Sequence, residues 1–151
     1  MKYILSFLIG SFLLILTAYQ PRQATAGQKD DYELQERCSK RAAERFKEDS
    51  GYFAQSDKDT KYRTTYINHY NRKLNKCFVL FATFGVPMGK KDIQEFGTSS
   101  DKSLWDINEN KQYGDFFKFR ASPDPIICEV SDKLCHSEAE WDSLVKTYME
   151  E

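Results

Sequence analysis

Cys38, Cys77, Cys128 and Cys135 carry the most definite chemistry in this sequence. Thiols can hold a zinc ion, attack a substrate or join as disulfides. Structural zinc sites pair their ligands roughly two to four residues apart, and no two of these cysteines are that close. His136 follows Cys135 directly, but adjacent side chains point apart and seldom share one ion. In an oxidising compartment, free thiolates are consumed and an even set of cysteines reads as two disulfides. Sequence alone leaves all three pairings open. Spacing favours Cys128–Cys135, because the intervening Glu129-Val130-Ser131-Asp132-Lys133-Leu134 has a turn-like Ser-Asp-Lys centre. That choice leaves Cys38–Cys77.

Tyr66-Ile67-Asn68-His69-Tyr70-Asn71 is the densest polar and aromatic segment. His69 could act as a general base or a pH switch. No serine stands in a nucleophile-elbow context and no acid stands at a defined spacing from it. The expected role is therefore structural, with His69 and Asn71 satisfying backbone groups at a strand end. The alternative is a small envelope hydrolase using His69 with carboxylates or tyrosines brought in by the fold. Asp106-Ile107-Asn108-Glu109-Asn110 begins like a calcium loop. Lys111 and Phe117 stand where that loop needs a glycine and a bidentate glutamate, so a polar hairpin tip explains the segment better. No phosphate-cradling glycine loop, dinucleotide fingerprint or metalloprotease helix is present. The reading is non-enzymatic, with no catalytic residue, metal or cofactor. Aromatic residues make up 15% of the chain, enough to supply both a core and a contact surface. Phe78, Phe81 and Phe84 belong to a strand that must bury them. Tyr62, Tyr66, His69 and Tyr70 are the candidate binding residues, with Tyr52 and Phe53 nearby.

These residues need a scaffold, and the N-terminus sets its compartment. Residues 1–26 carry Lys2, an apolar run from Ile4 to Ala18, Pro21 and then Ala24-Thr25-Ala26. That is the charged, apolar and small-x-small pattern of a secretory signal peptide, too short for a comfortable transmembrane helix. Residues 27–151 are then expected to form one domain, located in the periplasm or secreted. The whole chain has 22 basic and 23 acidic residues; without Lys2 and Arg22 the balance is 20 against 23. Such a charge excludes a basic nucleic-acid binder. Nothing after residue 26 is apolar for long enough to span a membrane, so no membrane contact is expected once the peptide is removed.

Hydrophobic spacing gives the elements. Leu34, Cys38, Ala42 and Phe46 recur every four residues, predicting a helix over Asp30–Asp49 that stops at Ser50-Gly51. Asp30 and Asp31 suit its N-terminal end. Lys61–Tyr70 alternates as a strand, and Cys77–Phe84 is continuously apolar, which marks a central strand buried on both faces. Gly85–Asp101 reads as a surface loop. Leu104–Ile107, Tyr113–Phe119 and Ile126–Val130 are further strands, with a turn at Asn108–Gln112. Ser137 and Glu140 form a capping box for a last helix whose stripe is Trp141, Leu144, Val145 and Tyr148. The expected fold is α+β: an antiparallel sheet of about four to five strands, with both helices on one of its faces.

The segment His69-Tyr70-Asn71-x-x-Leu74-Asn75-Lys76-Cys77-Phe78, with Cys38 in an early charged helix and a late Cys128/Cys135 pair, resembles small exported bacterial proteins. The resemblance implies a bacterial origin and an export route, and carries over no activity. The expected partner is a protein, peptide or envelope component held on an aromatic and polar face. An uncleaved N-terminal anchor holding the domain at a membrane is a further alternative.

Overall fold

The computed structural model describes residues 26–53, 60–89 and 98–150. Residues 1–25 of the expected signal peptide lie outside the described residues, and its last residue, Ala26, is the first of α1. The chain forms α1 (Ala26–Phe53), β1 (Thr60–Asn71), β2 (Lys76–Pro87), β3 (Ser99–Asp106), β4 (Lys111–Phe119), β5 (Ile127–Val130), β6 (Lys133–Leu134) and α2 (Glu138–Met149). The strands make one antiparallel meander in the order β1-β2-β3-β4-β5-β6. The class is α+β as read from the sequence, but the sheet has six strands, more than expected. The added strand is β6, two residues that pair with Glu129 and Val130 across the Ser131-Asp132 turn.

The helices also differ from expectation in placement: they lie on opposite faces. β2 explains why. Cys77, Phe78, Val79 and Phe81 are all buried, and consecutive strand residues point to opposite sides. Both faces of β2 therefore need a cover, and one helix cannot give it. Val79 and Phe81 pack with Ala42, Phe46 and Tyr66 under α1. Phe78, Leu104, Phe116 and Val130 pack with Trp141 and Val145 of α2 on the other side.

Each helix is bound to its own face by a disulfide. Cys38–Cys77 joins α1 to β2 across 39 residues, and Cys128–Cys135 joins β5 to the approach of α2 across seven. The pairing favoured by spacing is the one observed.

Several boundaries move. α1 starts four residues earlier than Asp30 and runs through Ser50-Gly51 to Phe53, so its first turn holds no acid and the glycine is no stop. Gly85–Pro87 and Ser99–Asp101 are strand where a loop was expected, because pairing extends β2 and β3. Residues 90–97 of that expected loop lie outside the described residues. The β1–β2 turn closes through Asn75 and the β3–β4 turn through Asn110, both in the left-handed region at φ 54° and 51°, which asparagine tolerates. α2 begins as expected: the Ser137 side chain accepts from the Glu140 N–H, and the Glu140 carboxylate accepts from the His136 N–H.

Candidate functional site

The register divides the four candidate binding residues. Tyr66 pairs with Phe81 and Tyr70 with Cys77, so Tyr62, Tyr66 and Tyr70 share the α1 side of β1. His69 pairs with Phe78 and points to the α2 side. Its Nε2 is buried and makes no hydrogen bond among the described residues. Tyr66 is packed into the core, its ring 4.7 Å from Phe46 and 6.4 Å from Phe81. The ring of Tyr62 lies against Gly85, where an added Cβ would come within 2.9 Å of it. The fold thus does not gather Tyr62, Tyr66, His69 and Tyr70 into one site. Asn71 does serve the strand end: it donates to the Thr147 and Tyr148 carbonyls at 3.1 and 3.2 Å, and its Oδ1 accepts from the Leu74 N–H at 3.0 Å.

The sheet segregates charge between its faces. On the α2 side, among the described strand residues, stand Lys61, Arg63, His69, Lys76, Lys102, Lys111, Lys118 and Lys133, with Asp106 the one carboxylate. Asp106 is fully buried and is held by Lys76 at 2.7 Å. On the α1 side the described strand residues include the carboxylates Asp101, Asp115 and Glu129 and no basic side chain.

Those three carboxylates occupy three adjacent strands. Asp115 of β4 stands directly opposite Glu129 of β5, and Asp101 of β3 lies on the diagonal from Asp115 because its own partner is Phe117. Directly paired side chains start about 5 Å apart and diagonal ones about 7–8 Å. Phe117 and Phe119 share this face, edge to face at 5.0 Å, beside Ile127, which is 39% exposed. α1 covers the β1–β2 half of the face and reaches only as far as Trp105 and the β3–β4 turn. There Arg45 lies over the indole, 6.0 Å from its centre, and donates to Asn110, while Arg41 donates to Asn108. Asp101 and Glu129 are exposed, and Asp115 is half-buried.

The crowding has an electrostatic signature. Partial burial, followed by the charge of Asp115, raises the Asp101 carboxyl above the usual aspartate range. Burial, followed by the charge of Glu129, raises Asp115; hydrogen bonds from the Phe116 backbone and Gln112 offset part of that rise. Each carboxylate would gain from a cation brought to the face. Among the described residues no three histidines, cysteines or acids are gathered closely enough to hold a metal ion. The acids are spread along a surface and suit a partner with several separated positive charges.

Behind the acids, α2 fixes the strands. The buried Trp141 indole N–H donates to the carbonyls of Asp115 and Glu129, each at 3.2 Å. The side chains of those two residues therefore project from a clamped backbone. Sequence reading missed this face, although a signal was there. Phe116 is apolar core, so Asp115 and Phe117, its neighbours on either side, must share the other face.

No protein-family model, curated protein or solved structure matches the chain. Two disulfides with no free cysteine among the described residues fit a non-cytoplasmic, oxidising compartment. Among those residues no helix is long and apolar enough to cross a membrane.

Proposed function

We propose that the protein is an exported binding domain, non-enzymatic, that holds a lysine- or arginine-bearing protein or peptide across the α1-side face of β3, β4 and β5. One observation carries this reading: among the described strand residues every charged side chain on that face is a carboxylate, and Phe117 and Phe119 lie beside them. Carboxylates take the partner's ammonium or guanidinium groups, and the aromatic rings receive its aliphatic stems. Antiparallel strands hold the three acids in fixed register, so little ordering is left for the moment of binding. Location in the periplasm or outside the cell belongs to the same proposal, supported by the disulfides and by the signal-like residues 1–26.

The test is a titration with a defined probe. A fluorescein-labelled peptide alternating lysine and leucine should bind the oxidised protein, with anisotropy falling as salt is added. The triple variant Asp101→Asn, Asp115→Asn, Glu129→Gln should lose that binding while keeping both disulfides and the parent's circular dichroism. Unchanged affinity in the folded triple variant would refute the proposal.

A further inference from the structure

The opposite side of the same sheet has an open end of different chemistry. α2 lies over Phe78, Leu104 and Phe116, and its Glu138 and Asp142 hold Lys102 at 2.7 and 2.9 Å. Toward the start of β1 and the end of β2, Arg63 pairs with Phe84 and Lys61 with Val86, with Met88 just beyond. Phe84 is 44% exposed, Val86 47%, Met88 57% and Ile67 59%. Lys61 and Arg63 are exposed and make no ion pair among the described residues. Across the sheet, the row of Arg63 continues through Phe84 and Ser100 to Lys118, a third cation with no acid between.

We infer that this end of the α2-side face docks on an anionic lipid surface, a role separate from the acidic face proposed above. The cations meet headgroup phosphates, while Ile67, Phe84, Val86 and Met88 enter the boundary between headgroups and acyl chains. Neither signal is large alone, and stable peripheral attachment takes both. A soluble polyanion would use the cations and leave the apolar side chains in water. Two copies meeting through this same face would set lysine and arginine against lysine and arginine. Docking on lipid also turns Asp101, Asp115 and Glu129 away from the negative surface, which removes the repulsion that the other orientation would incur. Hydropathy along the chain missed such contact because the patch is assembled from β1 and β2 by register.

Sedimentation with vesicles tests it on the oxidised protein in its exported form, without the signal-like residues 1–26, whose apolar run would carry it to vesicles of either kind. The protein should pellet with phosphatidylcholine vesicles containing one part in three of phosphatidylglycerol, pellet less at high salt, and stay in solution with pure phosphatidylcholine. Lys61→Glu with Arg63→Glu should weaken binding at least about tenfold. Ile67→Ser with Met88→Ser should weaken it with every charge retained; both pairs of positions are exposed, and the lipid and salt comparisons need no variant. Equal pelleting with the two vesicle types, or none with either, overturns the inference. Indifference to the apolar pair, with equal binding to dextran sulfate, makes the site a polyanion site and overturns it too. So does pelleting without vesicles together with self-association on gel filtration, which would assign the patch to a second copy.

Discussion

The indole N–H of Trp141 and the carbonyl oxygen of Asp115 stand 3.2 Å apart, on the side of the sheet opposite the Asp115 carboxylate. One residue is thereby held from α2 through its backbone and offered to solvent through its side chain. The same indole reaches Glu129, so the closest pair of acids on the open face shares a single clamp. Trp141→Phe keeps most of the packing and removes the donor. It should cost about 1–3 kcal/mol in denaturant unfolding, because two hydrogen bonds worth about 0.5–1.5 kcal/mol each are lost. A loss below about 0.5 kcal/mol would show that other contacts hold these strands.

The two disulfides should differ in worth. Loop-closure entropy assigns about 4 kcal/mol to the bridge spanning 39 residues and about 2.5 to the one spanning seven. Cys38→Ala with Cys77→Ala should therefore lower unfolding free energy by about 1.5 kcal/mol more than Cys128→Ala with Cys135→Ala. The excess is reinforced by position, since Cys38 and Cys77 are 2% and 1% exposed and join helix to sheet. An equal or reversed order in guanidinium unfolding would contradict it.

Asn71 joins the β1–β2 turn to the last turn of α2 and is 1% exposed. Asn71→Leu removes an amide that satisfies two carbonyls and one N–H. The expected loss is about 2–3 kcal/mol, with earlier hydrogen exchange at the C-terminal end of α2. Parent-like exchange there would mean that the helix end is held by Tyr148 and its packing on Phe78.

Asp101 and Asp115 give the fold a pH dependence of definite sign. Their carboxyls titrate above the ordinary value of 3.8 in the folded chain. Each therefore contributes stability that is fully present below that value and lost as pH rises through the raised one. Asp101→Asn with Asp115→Asn should be more stable than the parent at neutral pH, by about 0.5–1 kcal/mol for partly solvated charges. The difference should close on acidification. Thermal unfolding across that range checks it, and a double variant less stable than the parent at neutral pH would contradict the repulsion.

Much of this architecture was legible in the residues. Four-residue spacing placed Cys38 on the buried stripe of α1, the unbroken apolar run marked β2 as central, and Ser137 with Glu140 marked the start of α2. Face assignment was not legible. The stripe of α1 and the stripe of Trp141 and Val145 look alike in sequence, and only the alternation along β2 assigns them to opposite sides. His69 and the tyrosines looked like a cluster because they are neighbours in the chain, but a period of two sends His69 the other way. The acidic face was hidden for the converse reason: Asp101 fell in a stretch read as loop, and Asp115 and Glu129 belong to different strands. The extra residue at Tyr113, opposite Leu104 and Trp105, obscured the register further.

Amide chemical-shift mapping with the lysine–leucine peptide tests the acidic face most directly. Binding there should move the amides of Asp101, Ser103, Asp115, Phe117 and Glu129, and leave those of Ile67, Phe84 and Val86 in place. Shifts centred on Tyr62, His69 or the β1–β2 end, with the amides around Asp115 unmoved, would contradict it.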